Sequence, residues 1–323
     1  MFWSNQSCFT SKPEDSIFFG LSVAINERYL AVGDPAANRV VIYTRNSLRQ
    51  WVITKKVSPP KGSIPYQKNR GFGRNLQLEG STLIVESLTQ ELIPNTAYTN
   101  NYYGRYLVTL ESKTEAKPIN LAVERETGFV QFNLLSKGAI EKIVVSNIEE
   151  ESKFGCCVAL RDNLLLVGSP SYYVKSGGWL FDLDRPDNKP LKLTAPNAYI
   201  GETIALSSHF AAVGNLGEWF YPPEDAPRLQ KKTLIRSIKN GSTKVIDSYG
   251  ELSLSRNILA IMRPQSDDDE QKALLEVFRL DEDATPRLIK KRKHLIRAWV
   301  QNGFLITVSK KFSRVKLCIE PAS

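Results

Sequence analysis

A chain of 323 residues that is 42% hydrophobic and 24% charged sits near the average of folded soluble domains, which excludes a disordered, collagen-like or low-complexity polypeptide. No apolar run approaches the ~18 residues that a membrane-spanning helix needs, and residues 1–16 lack the basic, apolar, small-residue order of a secretory signal, so a cytoplasmic protein is expected. The formal charge of +9 biases encounters toward anionic partners such as nucleic acid or acidic membrane. Acidic runs at Asp267–Glu270 and Glu149–Glu151 offset the basic run Lys290, Lys291, Arg292, Lys293, and such runs are read as solvated loops.

Internal repeats dominate the chain. Phe19-Gly20-Leu21-Ser22-Val23-Ala24-Ile25, a polar turn at Asn26-Glu27-Arg28 and Tyr29-Leu30-Ala31-Val32-Gly33-Asp34-Pro35 form the first copy. The second runs from Phe72-Gly73 to Val85-Glu86, with the later glycine replaced. The third, Phe154-Gly155-Cys156-Cys157-Val158-Ala159-Leu160 to Val167-Gly168-Ser169-Pro170, and the fourth, Ile200-Gly201 to Val213-Gly214, restore the glycine pair thirteen positions apart. A shortened fifth copy leads from Tyr249-Gly250 to Ile258–Met262, and a sixth, without the first glycine, from Ala298-Trp299-Val300 to Phe304–Val308.

Each copy holds two apolar stretches of five to seven residues around a polar turn, the pattern of a β-hairpin rather than a helix. Third stretches are predicted at Arg39–Tyr43, Phe129–Phe132, Gly178–Phe181, Glu218–Tyr221 and Leu275–Phe278, and fourth stretches at places such as Trp51–Thr54 and Ile140–Val145. Four antiparallel strands per unit, stacked radially, bury sheet faces and leave only short edges. The fold class expected is therefore all-β: one β-propeller over residues 1–323, with about six four-stranded blades and a seventh left open.

The series FG-x-S-V-A, hairpin, L-A-V-G-x-P and aromatic-ended strand resembles the FG-GAP repeat of integrin α-subunit-type propellers, and the resemblance covers nearly the whole chain. It implies a protein-binding role. Many repeats of that family carry an acidic calcium loop between the first two strands. The corresponding turns are Asn26-Glu27-Arg28, Glu79-Gly80-Ser81, Arg161-Asp162-Asn163, Ser207-Ser208-His209 and Ser255-Arg256-Asn257. None supplies the six or more oxygens that calcium requires, so neither metal nor cofactor is expected.

The sixth copy stops after its third strand, Arg314–Ile319, and residues 1–10 are expected to supply its missing outer strand, placing Cys8 near Cys318. Two half-buried reduced thiols are the favoured reading there, with a disulfide clasp as the alternative. Cys156 and Cys157 are expected within a strand, pointing to opposite faces. With four cysteines, no CxxC pair and two distant histidines, His209 and His294, a zinc site is not expected.

The second copy is too long, and its surplus, residues 88–127, is read as an inserted hairpin or loop, or as the remnant of a seventh blade. Insertions on a repeat scaffold are frequent binding sites. One loop-rich face is expected to gather Tyr66, Tyr98, Tyr102, Tyr103, Arg105, Tyr172 and Tyr173 with the basic run 290–293, together with Lys61, Lys68 and Arg70, because tyrosine and arginine suit binding hot spots.

No G-x-S-x-G elbow, phosphate loop, H-E-x-x-H or dinucleotide fingerprint occurs. The primary expectation is a non-catalytic scaffold for a protein partner. Two alternatives stay open: a carbohydrate-binding or carbohydrate-active propeller using its central channel, and a basic surface for nucleic acid or anionic membrane. Asp34, Glu86, Glu202 and Glu251 recur near strand ends, where turns alone account for them, so no catalytic carboxylate is selected.

Overall fold

The computed structural model describes residues 7–10, 16, 18–48, 50–59, 71–92, 99–111, 117–119, 124–126, 129–136, 139–146, 154–171, 176–216, 230–264, 273–311 and 314–322. Among these the fold is all-β, with one 3-10 turn at Pro35–Ala37 and no α-helix. Six sheets have four antiparallel strands. Sheet I comprises Val23–Ile25, Tyr29–Asp34, Arg39–Arg45 and Trp51–Val57; sheet II comprises Asn75–Glu79, Thr82–Leu92, Thr99–Thr109 and Lys117–Ile119. Sheet III holds Val158–Arg161, Leu164–Ser169, Gly177–Asp182 and Leu191–Leu193, and sheet IV holds Thr203–Leu206, Phe210–Gly214, Thr233–Ser237 and Thr243–Ile246. Sheet V runs through Glu251–Ser255, Ile258–Pro264, Ala273–Leu280 and Pro286–Leu295. Sheet VI orders Arg297–Gln301, Phe304–Lys311 and Arg314–Pro321, then the N-terminal Ser7–Thr10.

In sheets I, III and IV the second strands are buried at nearly every position because both faces are covered, the condition that turns an alternating pattern into a continuous one. In sheet I, Tyr29 and Ala31 pack with Phe72, Leu83 and Val85 of the second repeat, while Leu30 and Val32 pack with Ile306, Val308 and Leu317 of sheet VI. Comparable shared cores join III to IV, IV to V and V to VI. The order of packing thus returns from the sixth sheet to the first.

Three strand assignments differ from the sequence expectation. Thr99–Thr109 pairs along its whole length with Thr82–Leu92 and is the third strand of sheet II, with Lys117–Ile119 as the fourth. The stretches Phe129–Phe132 and Ile140–Val145 belong instead to a separate three-stranded sheet, Glu124–Glu126, Phe129–Ser136 and Ala139–Ser146. Its middle strand lies beside both Asn75–Glu79 and Val158–Arg161, between sheets II and III. In sheet IV the third strand is Thr233–Ser237; Glu218–Tyr221 lies outside the described residues.

The glycine pairs act at the seams between sheets. The first glycine of each pair has positive φ, from 82° at Gly20 to 107° at Gly201, a conformation that costs a residue with a Cβ. Its N–H bonds the carbonyl of the second glycine, at 2.8 Å for Gly20 to Gly33 and 2.9 Å for Gly155 to Gly168. In the first and third repeats the second glycine then meets the first glycine of the next repeat. A Cβ on Gly33 would run into the Gly73 carbonyl, and one on Gly168 into that of Gly201. Glu86 occupies the equivalent place in sheet II, its carbonyl accepting from the Gly73 N–H at 3.0 Å.

Ser7–Thr10 pairs antiparallel with Arg314–Pro321, Cys8 standing opposite Cys318 with Cα atoms 4.1 Å apart. The two cysteines form a disulfide, which corrects the expectation of reduced thiols: direct cross-strand opposition brings the sulfurs into bonding range. The bond joins positions 310 residues apart.

Candidate functional site: an axial cavity and its ring of turns

The first hairpin of every four-stranded sheet turns in the same place. In sheets II, III, V and VI the turn has two residues with positive φ at the first, Gly80 (56°), Asp162 (53°), Arg256 (55°) and Asn302 (49°). Glycine, asparagine and aspartate are the residues such tight hairpins favour. The turns of all six sheets line one cavity of about 560 Å³, which includes Asn26, Glu27, Glu79, Arg161, Asp162, Ser207, Arg256 and Asn302. A second cavity of about 310 Å³, reached from the first strands, shares Leu76, Leu206, Leu254 and Gln301 with it and adds Ser22, Glu251, Arg297 and Trp299. The two cavities adjoin along the first strands and first hairpin turns of the sheets.

Hydrogen bonds link the turn of sheet I to those of sheets II and VI, and the hairpin of sheet V to those of sheets IV and VI. Asn26 Nδ2 donates to the Gly80 carbonyl at 2.7 Å, and Asn302 Nδ2 donates to the Ile25 carbonyl at 2.6 Å. Ser207 Oγ donates to the Arg256 carbonyl at 2.8 Å, and Ser255 Oγ accepts from the Gly303 N–H at 2.8 Å. Gln301 Oε1 accepts from the Ile25 N–H at 3.1 Å. Deeper in, Arg297 pairs with Glu251 at 3.0 Å, donates to the Leu21 carbonyl at 2.6 Å and lies over the Trp299 ring. The lining therefore mixes three carboxylates, two guanidiniums and several amides and hydroxyls at the mouth, a nearly charge-balanced polar surface.

Of the four carboxylates considered from the sequence, Glu251 pairs across to Arg297 of sheet VI, and the other three are held within their own repeats. Asp34 accepts from Ser16 and from Arg39 Nε at 3.1 Å. Glu202 accepts from Asn215 Nδ2 and the Leu216 N–H at 3.0 and 3.1 Å, and Glu86 accepts from Asn75 Nδ2 at 3.2 Å. Among the described residues no group of three or more His, Cys, Asp or Glu side chains is placed to hold a metal ion.

The basic run is not a loop. It lies on the outer strand Pro286–Leu295 of sheet V, and strand alternation divides its charges. Lys290 and Arg292 each reach Glu320 of sheet VI at 2.8 Å, whereas Lys291 reaches Glu276 of its own sheet at 3.1 Å; Lys293 is exposed. Glu276 is buried; desolvation pushes its carboxyl up, but the Ser248 hydrogen bond with Lys291 and Arg263 outweighs it and holds the pKa below the usual range.

Of the tyrosine-rich face, Tyr66, Tyr98, Tyr172 and Tyr173 lie outside the described residues, as do Lys61, Lys68 and Arg70. Tyr102, Tyr103 and Arg105 fall on the third strand of sheet II, opposite Thr89, Leu88 and Glu86. The axial turns were visible in sequence only as failed calcium loops.

No protein-family model matches the chain, and none of the curated proteins matches it. Solved structures that align with it include a protein of unknown function from Desulfotomaculum acetoxidans (10% identity, TM-score 0.35, 84% of this chain and 69% of that one). Others are a putative 6-phosphogluconolactonase from Bacteroides fragilis (10%, 0.37, 90% and 77%) and the AfRom2 CNH domain (10%, 0.35, 92% and 79%).

Proposed function

We propose that the chain is a non-catalytic β-propeller scaffold for a protein partner, with six four-stranded blades and the three-stranded sheet as a seventh. The observation that carries this reading is the packing order, in which cores are shared by sheets I and II, III and IV, IV and V, V and VI, and VI and I, with the three-stranded sheet sharing one with III, around a cavity lined by one turn from each four-stranded sheet. Such a ring presents loops on rigid supports, the arrangement in which binding residues are commonly found. Commitment of Asp34, Glu86 and Glu202 to local hydrogen bonds supports a structural rather than a catalytic use. The partner is assigned to the face of Tyr66, Tyr98, Tyr102, Tyr103, Tyr172 and Tyr173. Pairing of Lys290, Lys291 and Arg292 with Glu320 and Glu276 argues against the basic run as a nucleic-acid or membrane surface.

A second reading has its own observation. The axial cavity is of the size of a small-ligand site, and its neutral amides and hydroxyls suit a polyhydroxylated molecule such as a glycan. Affinity purification at low and high salt tests the first reading: one partner retained at both, and lost by a Tyr102→Ala, Tyr103→Ala variant that melts like wild type, is the expected result. Anionic polymer or lipid released by salt overturns it. Glycan binding that Arg256→Ala abolishes, with no protein retained, moves the case to the cavity.

A further inference from the structure

Cys156 and Cys157 stand where the first repeat has Leu21 and Ser22. The strand begins only at Val158, and both side chains turn to the same side, which corrects the expectation of opposite faces. Their Sγ atoms are 3.5 Å apart, and each is 3.3 Å from the carbonyl oxygen of Gly201, the first glycine of the next repeat. The first repeat makes the same link with a hydroxyl, Ser22 Oγ donating to the Gly73 carbonyl at 2.6 Å. At the seam between sheets III and IV a thiol has taken the serine's place, and Gly168 leaves the space its sulfur occupies.

The two thiols differ in access. Cys156 is exposed and Cys157 half-buried. The hydrogen bond with Cys156, followed by burial, pushes the Cys157 thiol well above its ordinary pKa and keeps it neutral. An oxidant in solution therefore meets Cys156 first, with Cys157 in reach behind it.

We propose that Cys156 and Cys157 are a modification site for hydroperoxides, closing to a vicinal disulfide that releases the seam between sheets III and IV. Cys156 sulfur, as thiolate, attacks one peroxide oxygen; the S–O bond forms as the O–O bond breaks, and the departing oxygen leaves as alcohol or water. Cys157 sulfur then attacks the sulfenic sulfur. The S–S bond forms, the S–O bond breaks, and the hydroxyl leaves as water with the Cys157 proton. Two thiols and one hydroperoxide give one disulfide, one alcohol and one water, the sulfurs losing the two electrons the peroxide gains. The sulfurs close from 3.5 Å to about 2.05 Å. Neither then carries a hydrogen for the Gly201 carbonyl, so both sulfur bonds across the seam are lost.

Trypsin cleaves after Lys153 and Arg161, isolating both cysteines in one eight-residue fragment, Phe154–Arg161. After hydrogen peroxide treatment of the whole protein, that fragment is expected to lose two hydrogens. Amide exchange at Gly168, whose N–H bonds the Cys157 carbonyl, is expected to rise roughly tenfold, the effect of losing about one hydrogen bond. Cys157→Ser keeps a seam donor, as Ser22 does, and cannot close: its Cys156 sulfenic acid is trapped by dimedone and exchange at Gly168 stays constant. A wild-type fragment that gains two or three oxygens without losing hydrogens overturns the proposal, and so does a disulfide that leaves the exchange unchanged.

Discussion

Gly33→Ala tests whether contact between repeats, rather than turn geometry, enforces the second glycine. Gly33 does not need a left-handed backbone, but a Cβ there would meet the Gly73 carbonyl oxygen and Ser22 Oγ at well under the 3.0 Å that real Cβ atoms keep. One obstacle is backbone, fixed on the far side by the cluster of Phe72, Leu76 and Val85, so sheets I and II must separate. Overpacking of this kind costs about 1–3 kcal/mol, and separation also stretches the 2.6 Å bond from Ser22 to Gly73, adding about 1 kcal/mol. A total of about 3 kcal/mol lowers Tm by roughly 5 °C, on an unfolding entropy of ~2.1 cal/mol/K per residue over the whole chain. Gly80→Ala is the control: its φ is 56° and nothing lies within 4 Å of the added carbon, so it carries only the backbone cost of about 1 kcal/mol. Thermal melts of both variants by circular dichroism decide the matter. If Gly33→Ala melts with or above Gly80→Ala, the seam contact is not what selects glycine.

Three further outcomes are expected. Reducing the Cys8–Cys318 disulfide, which links positions 310 residues apart, costs between about 2 and 5 kcal/mol through loop-closure entropy; urea unfolding with and without reductant reads it, and Cys318→Ala abolishes the response. The depressed pKa of Glu276 means that its ionised form stabilises the fold above the unfolded carboxyl pKa of about 4.3 and that this contribution is lost as pH falls through the lower folded value. The Tm gap between wild type and Glu276→Gln should therefore be widest near pH 7 and shrink below about pH 4. Glu320→Gln leaves Lys290 and Arg292 without their carboxylate; with those side chains 35% and 31% exposed, the loss is about 1 kcal/mol in dilute buffer and diminishes in 1 M salt.

Most of the strand plan was legible because the repeat writes the same local pattern again and again. Positions such as Leu30, Leu165 and Phe210 had to be core once both faces of each second strand were recognised as covered. The N-terminal strand was readable for the same reason, since a unit ending after Ile319 leaves an edge that needs a partner. The second repeat was not legible beyond its hairpin. There the strand Thr82–Leu92 runs past the usual length to pair with Thr99–Thr109, and the apolar run Phe129–Phe132 matches the expected third strand equally well by pattern. Pairing at this distance depends on turn geometry in residues that carry no repeat signature, and periodicity cannot rank the two candidates.

The site lay deeper still, for a physical reason. Turn residues such as Asn26, Ser207 and Asn302 read as ordinary hairpin chemistry, and only the three-dimensional order of the sheets shows that their side chains reach from one turn to the next. The seam position was within reach of sequence, however. Two residues after each leading glycine stand Ser22, Asn75, Cys157 and Thr203, and in three of these units the side chain bonds the next sheet: Ser22 to Gly73, Cys157 to Gly201 and Thr203 from the Leu252 N–H at 3.0 Å. A small polar side chain recurring at the entry to an apolar strand has to satisfy a buried partner, and the next repeat supplies it. A cysteine at that position inherits the bond and adds a chemistry that serine lacks, so it is the seam between sheets III and IV that an oxidant can address.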